Sequence, residues 1–164
     1  MKKWMLPLLC VSLAGCSLGG HHEAADARSL SAEQTTLLRQ NDLLQAKLLV
    51  LGGSEEQLKL ADALLLRNGG TSADGEVEFY RAVIAIKQGP QTDDVLELLN
   101  ASADHRYPLA YALLYRMYTD PFLVPEADPI QAQTYKSAYG ELAVAKSGYP
   151  SFDKAVEVTR QLAP

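Results

Sequence analysis

Cysteine and tryptophan are almost absent from this chain, and both occur only in its first sixteen residues. The 164 residues include two cysteines, Cys10 and Cys16, and one tryptophan, Trp4. Residues 17–164 therefore hold no thiol for a disulfide, a thiolate metal site or a cysteine nucleophile. Basic residues are also scarce, with 15 Lys and Arg against 20 Asp and Glu and a net charge of −5. This acidic balance argues against nucleic acid as a partner, because phosphates require a basic surface.

The N-terminal apolar run is too short to cross a bilayer. It covers the eleven residues 4–14, whereas a membrane-spanning helix needs about 20. Lys2 and Lys3 precede it, and small residues follow it. A basic start, a short apolar run and a small-residue exit are typical of a secretory signal peptide.

The end of this segment, Leu-Ala-Gly-Cys at residues 13–16, resembles the lipobox of bacterial lipoproteins, L-[AS]-[GA]-C. The resemblance implies that residues 1–15 are removed and that Cys16 becomes the lipidated first residue, carrying acyl chains such as palmitate. Ser17, in place of an Asp, resembles the pattern of lipoproteins sorted to the outer membrane of a Gram-negative host. The expected product is lipid-anchored and periplasm-facing, with 149 residues and a net charge of −7, because two basic residues and no acid are lost.

Residues 16–29 combine the lipidated cysteine with a small, polar stretch, which we interpret as a flexible tether. His21, His22, Glu23 and Asp26 are competent metal ligands. A flexible segment imposes no fixed ligand geometry, so we predict no metal site and no cofactor.

Residues 30–164 are predicted to form one all-α domain of about seven helices, arranged as stacked antiparallel hairpins. Ser31 with Gln34 and Ser54 with Gln57 have the spacing of capping boxes, which mark helix starts. Glycines follow several of the predicted helices, as is typical of helix C-termini. The predicted helices cover residues 31–51, 54–67, 74–88, 92–103, 108–119 and 129–146, with Pro150 opening a seventh.

Two segments 42 residues apart, 103–110 and 145–152, share a helix junction with the dipeptide Tyr-Pro. Their surroundings resemble Sel1-like repeats, relatives of the tetratricopeptide repeat (TPR), over about residues 99–152. The matching residues are Ala103, Ala110, Leu114, Tyr118, Val124, Asp128, Ala132 and Tyr135, followed by Ala145 and Gly148 of the next unit. Arg106 replaces a glycine of the pattern, and Phe152 an alanine. The resemblance implies an α-solenoid that acts through its surfaces as a scaffold for partner proteins.

Seven of the eight tyrosines lie between positions 107 and 149, and four of them follow helical spacing from 107 to 118. One interpretation is that these rings pack the repeats together. The other is that Tyr111, Tyr115 and Tyr139 line a concave surface and anchor a partner, because exposed tyrosine is enriched at such sites.

Leucine recurs every seven residues in the first predicted helix, at positions 30, 37, 44 and 51. The intermediate positions hold Gln34, Asn41 and Leu48. A coiled coil favours apolar residues at both positions. The pattern therefore favours an amphipathic helix docked on its neighbours over a coiled coil.

No catalytic residues are predicted. Residues 70–75 have the spacing that opens a phosphate-binding loop, but Glu76 and Val77 follow where Lys and Ser or Thr are required. His105 beside Asp104 stands at a predicted helix end, where histidine commonly caps. The chain is therefore expected not to be an enzyme.

The leading hypothesis is a lipid-anchored adaptor for unidentified envelope proteins in a secretion, pilus or polysaccharide-export assembly. A periplasmic immunity protein that binds a basic toxin is one alternative. A cell-wall or glycan-acting enzyme is another, because the many acids allow a carboxylate pair that no spacing marks.

Overall fold

The computed structural model describes residues 30–67, 69–89, 92–148 and 150–163. Cys16, the lipobox-like segment and the predicted tether lie outside these residues. Within them, all regular secondary structure is helical. The eight helices are α1 (Ala32–Gly52), α2 (Glu55–Arg67), α3 (Glu76–Gln88), α4 (Thr92–Asp104), α5 (Pro108–Thr119), α6 (Pro129–Gly140), α7 (Ala143–Ser147) and α8 (Phe152–Leu162).

Successive helices pack as hairpins, which confirms the all-α prediction. The closest pairs are α1 with α2, α3 with α4, and α5 with α6. The pairs are joined in order, because α3 contacts both α1 and α2, and α5 contacts α4. Helix α8 lies against α5 at the far end. This sequential packing is consistent with a solenoid-like stack.

The helix starts follow the capping residues of the sequence. The Ser31 hydroxyl accepts a hydrogen bond from the Gln34 amide, and Gln34 Oε1 accepts one from the Ser31 amide at 2.9 Å. Ser54 and Gln57 form the same reciprocal pair before α2. Asp128 Oδ1 accepts two backbone amides at the start of α6. Each cap satisfies donors that the first helical turn leaves unpaired.

The last predicted helices differ from the structure in two places. The helix predicted over 129–146 is divided into α6 and α7, because the backbone becomes extended at Leu142, whose side chain is then buried in a hydrophobic cluster. Pro150 does not open the final helix. Ser151 is its N-cap, and its hydroxyl accepts the Lys154 amide, so α8 begins at Phe152.

The core has two parts. The larger cluster joins α1 to α5 and ends at Leu162 and Ala163. The smaller cluster lies between α5, α6 and α8 and consists of Ala112, Tyr139, Leu142, Ala155 and Val156. Helix α8 therefore packs against the last hairpin through the smaller cluster and reaches the larger cluster through Leu162.

The two junctions that match in sequence also share a backbone conformation. Arg106 has φ +64°, and Gly148, 42 residues later, has φ +80°. Among the described residues, Arg106 is the only non-glycine with positive φ. Left-handed φ costs an L-residue roughly 1–2 kcal/mol. Glycine adopts this conformation without that cost, so Gly148 is unstrained where Arg106 is strained.

Candidate partner-binding surfaces

Tyr139, predicted as an exposed anchor, is instead a core residue. Only 1% of it is exposed, and its hydroxyl donates to the Pro150 carbonyl at 2.7 Å. Its ring stands edge-on to Phe152 of α8, with centroids 5.1 Å apart. Burial raises the pKa of Tyr139 above its ordinary value. The prediction that Tyr139 faces a partner is wrong for this fold, because α8 covers the ring.

Tyr111 and Tyr115 are half-buried and face the same region. The Tyr111 hydroxyl donates to the Ala103 carbonyl at 2.6 Å, which ties α5 to the end of α4. The Tyr115 ring lies 4.9 Å from the Phe152 ring in an edge-on contact. The structure thus brings Tyr115 and Tyr139 together around Phe152, with Tyr111 alongside. These contacts favour the packing interpretation of the tyrosines.

The loop at residues 70–75 serves as a structural turn. Glu78 in α3 is 2% exposed and accepts from both the amide and the hydroxyl of Ser72. His105 Nε2 lies 3.9 Å from Glu78 Oε1. Gly75 has φ +75°, and an added Cβ there would lie 2.5 Å from the Ser102 carbonyl oxygen. The glycine therefore permits a close approach between α3 and α4.

An open groove of about 380 Å³ runs between α2, α3 and α4. It is lined by Asp62, Arg81, Ile84, Ala85, Gln88, Asp94, Glu97 and Leu98. Apolar side chains of α3 and α4 lie among three carboxylates and one guanidinium. The groove is more polar than apolar, and Ala85 and Leu98 are the apolar lining residues that stay partly exposed.

The groove carries excess negative charge. Arg81 Nε lies 3.5 Å from Asp62 Oδ1, and Arg81 Nη1 donates to the Gly70 carbonyl. No ion pair among the described residues involves Asp94 or Glu97, both of which are exposed. A partner segment bearing lysine or arginine would complement these two carboxylates.

Sequence reasoning did not identify this groove. Asp94 lies in the first turn of α4. The helix dipole favours an acidic residue there, so the sequence offered no reason to assign Asp94 a binding role. Asp62 and Glu97 are 35 positions apart, so no local spacing joins them. Only the packing of three helices brings these carboxylates to one surface.

A second surface is formed by exposed leucines of α1 together with Leu30, which lies just before the helix. The helix docks on the rest of the molecule as predicted, but through Asp42, Ala46 and Val50. The leucines at 30, 37, 44, 48 and 51, here called the leucine stripe, are 54–63% exposed. The sequence pattern predicted a docked helix, but it did not indicate that the side with Asp42, Ala46 and Val50 would be the one to dock.

The described residues carry no grouping that points to a particular chemistry, and no known protein supplies one. Across the described ranges, His, Cys, Asp and Glu residues nowhere gather in a group of three that could hold a metal ion. None of the helices in this part of the chain is long and apolar enough to cross a membrane. Comparison with protein-family models, curated proteins and solved structures finds no match. The lipoprotein and Sel1-like resemblances therefore stay predictions.

Proposed function

We propose that this protein is a membrane-anchored, periplasm-facing lipoprotein that acts as a protein–protein interaction adaptor in an envelope assembly. Secretion, pilus and polysaccharide-export machines are assemblies of this kind. The lipobox-like sequence at residues 13–16 supports the anchor. The stack of helical hairpins supports a role in binding rather than catalysis, because such stacks present extended surfaces to partners.

The acidic groove between α2, α3 and α4 is the observation that carries the adaptor role. Ala85 and Leu98 supply the partly exposed apolar contact area, and Asp94 and Glu97 add negative charge. We expect the partner to present a segment with apolar and basic side chains. Electrostatic complementarity of this kind sets specificity and the rate of encounter.

The same groove makes an immunity protein the second candidate. A basic toxin would also complement Asp94 and Glu97, and the whole chain is acidic. The two roles differ in stoichiometry and affinity. An adaptor recovers several envelope proteins together, whereas an immunity protein binds one toxin very tightly and in a salt-sensitive way.

The test is a crosslinking pull-down from native membranes with wild type, Cys16→Ala and the double variant Asp94→Lys/Glu97→Lys. The adaptor role predicts recovery of one multi-protein envelope complex, weakened when either the anchor or the groove is changed. The matched control is Glu126→Lys/Glu157→Lys, which makes the same charge change at exposed sites outside the groove. This control should recover the complex as wild type does.

Three results would count against the proposal. Recovery of a single soluble toxin-like protein would favour the immunity role. Equal losses in the groove and control variants would show that total charge matters and the groove does not. An unlipidated, cytosolic wild type would contradict the anchor.

A further inference from the structure

Helix α1 is apolar on two opposite sides. Ala46 and Val50 are fully buried against the other helices. Positions 44 and 48 each lie two residues from 46, which is about 200° around a helix with 3.6 residues per turn. The exposed fractions of Leu44 and Leu48 are 58% and 61%, against 0% for Ala46. The leucine stripe therefore points directly away from the rest of the molecule.

The leucine stripe approaches the size of a functional surface patch. Five leucines that are 54–63% exposed present roughly 200–350 Å² of apolar area, because burying a whole leucine side chain corresponds to about 60–120 Å². A contiguous patch of about 300–600 Å² is the largest that a typical monomer exposes, and it is often functional. Helices that are apolar on all sides are normally buried on all sides.

We propose that the leucine stripe pairs with the stripe of a second copy of this chain, as a parallel two-stranded coiled coil. Helix α1 has 21 residues, which is three heptads. In this register the d positions within the helix are Leu37, Leu44 and Leu51, and the a positions are Gln34, Asn41 and Leu48, while Leu30 continues the spacing two residues before the helix begins. A polar asparagine at an a position specifies register and oligomer state at a cost in stability, and Gln34 is a second polar residue at a.

Asn41 decides the orientation. In a parallel pair each a residue faces its own counterpart, so the two Asn41 amides can hydrogen-bond to each other. In an antiparallel pair an a residue faces a d leucine, which leaves the Asn41 amide buried without a polar partner. That arrangement would leave its hydrogen-bonding capacity unmet. The parallel arrangement is the one that the sequence of the stripe fits.

The flanking positions do not oppose this pairing. A parallel pair places Glu33 beside Leu38 of the other copy, and Gln40 beside Gln45. Lys47 is the remaining charged flank, and its ammonium already contacts Glu76 at 2.7 Å. No like charges face each other, and Leu38, which is 37% exposed, adds apolar area.

The area corresponds to a small dimer interface. Homodimer interfaces are about 65% apolar. Two stripes of roughly 200–350 Å² then correspond to a total interface of roughly 600–1,100 Å², just below the value of about 1,200 Å² at which standard-size interfaces begin.

A membrane surface and the preceding segment fit the stripe less well. Helices that lie in a membrane interface carry Lys and Arg beside the apolar face, whereas Gln34 and Asn41 lie within this stripe. Residues 16–29 contain one large apolar residue, Leu18, which is too few to cover five leucines.

The first experiment is disulfide crosslinking of the full chain in native membranes, with cysteine placed at single positions. A parallel coiled coil predicts dimers from both Leu37→Cys and Leu51→Cys. The matched control is Leu60→Cys, because Leu60 is a 53% exposed leucine on α2 outside the stripe. It should give at least tenfold less dimer.

Position 51 separates the two orientations. In an antiparallel pair centred on α1, the two copies of residue 51 would lie roughly 27 Å apart, at 1.5 Å per residue. Dimers from Leu37→Cys or Leu44→Cys without any from Leu51→Cys would overturn the parallel arrangement. Equal dimer from Leu60→Cys, or none from the stripe positions, would overturn the proposal altogether.

The second experiment measures the mass of the purified full chain in detergent by light scattering. Wild type should contain two chains, and the double variant Leu44→Glu/Leu48→Glu one chain, with an unchanged circular dichroism spectrum because both side chains are exposed. The control Leu60→Glu/Leu66→Glu should keep two chains. A single-chain wild type, or a stripe variant that still contains two chains, would contradict the pairing.

The wild-type chain without added cysteine separates this inference from the proposed anchor. A disulfide dimer of wild type would show that a native thiol carries no lipid, which contradicts the anchor. The mass measurement would still decide whether the stripes pair.

Discussion

Charged side chains bridge the helices where α1, α2 and α3 meet, whereas tyrosines bridge them where α5 meets α4, α6 and α8. The pairs in the first region are Asp42 with Arg67, Lys47 with Glu76, and Asp62 with Arg81. In the second region, tyrosine hydroxyls donate to the carbonyls of Ala103 and Pro150. Tyr118 and Tyr135 also stack with centroids 5.9 Å apart.

The difference teaches that one stack of helices is stabilised by two kinds of contact with different sensitivities. An ion pair depends on both partners staying charged. A buried tyrosine depends on its phenol staying neutral, because desolvation penalises the phenolate. Alkaline pH, salt and substitutions should therefore affect the two kinds of contact differently. The experiments below test that contrast, from the largest expected effect to the smallest.

Alkaline pH should produce the largest effect, through the buried tyrosines, of which Tyr80 and Tyr107 lie against the charged region. Burial raises the pKa of all five above the ordinary value of 10.0, namely Tyr80, Tyr107, Tyr111, Tyr135 and Tyr139. Their stabilising contribution is complete below pH 10 and is lost as the pH rises through the folded values. Urea midpoints should be flat from pH 7 to about 9.5 and fall steeply above 10.

Loss of the Lys47 charge should lower the urea midpoint further at alkaline pH, because the pKa of Lys47 is also raised in the folded protein. Burial lowers its pKa, but the hydrogen bond from Lys47 to Glu76 and nearby charges outweigh burial and raise it overall. Absorbance at 295 nm should show phenolate appearing together with unfolding. A midpoint that stays constant to pH 11 would show that the tyrosine contacts contribute little to stability.

Gly75→Ala should be the most damaging single substitution in the charged region. Its φ of +75° is strained for alanine, and the new Cβ would lie 2.5 Å from the Ser102 carbonyl oxygen. Strain and overpacking together should cost about 3 kcal/mol of unfolding free energy. Gly69→Ala, which has positive φ but no atom within 4 Å of the added Cβ, is the control and should cost about 1 kcal/mol. Equal losses would contradict the close approach of α3 and α4.

Asp42→Ala should cost about 2 kcal/mol, because it removes a buried, charge-assisted hydrogen-bond partner. Asp42 is 1% exposed, and Arg67 Nε donates to it at 2.9 Å. Lys59→Ala, which removes an exposed partner of Glu55 within α2, should give no measurable change. Urea titrations of both variants measure the difference. A neutral Asp42→Ala variant would remove the contrast between the two regions.

Tyr139→Phe should cost about 1 kcal/mol, since it removes one buried hydrogen bond and keeps the ring. Unlike an ion pair, this hydroxyl contact is between neutral groups, so the loss should be the same in low and high salt. Tyr135→Phe is the control, because its hydroxyl lies 3.4 Å from Asn100 at the surface and should matter less. A salt-dependent loss at Tyr139 would count against the explanation.

Arg106→Gly should give the smallest effect, a gain of about 0.5–1 kcal/mol from relief of left-handed strain. Arg106→Ala loses the same exposed hydrogen bond to the Glu141 carbonyl but keeps the strain, so it should give no gain. Gly148→Ala at the matching junction should be destabilising. Thermal melts of the three variants would show whether the two turns are equivalent.

Local features of the fold could be predicted from the sequence, and tertiary ones could not. Ser31, Ser54 and Asp128 mark helix starts because capping depends on residues three or four positions away. The burial of Tyr139 depends on α8, which begins thirteen residues later and at a different residue from the one predicted. The acidic groove combines residues from three helices, so no spacing within one helix could indicate it.

The Asp42–Arg67 pair affects which side of α1 faces the core. By apolar content alone, the side with five leucines is a better candidate for burial than the side with Asp42, Ala46 and Val50. The carboxylate of Asp42 finds its guanidinium partner on α2 only when that second side faces inward. One buried charge thus selects between two rotational settings of the same helix, and it leaves the more apolar side outward.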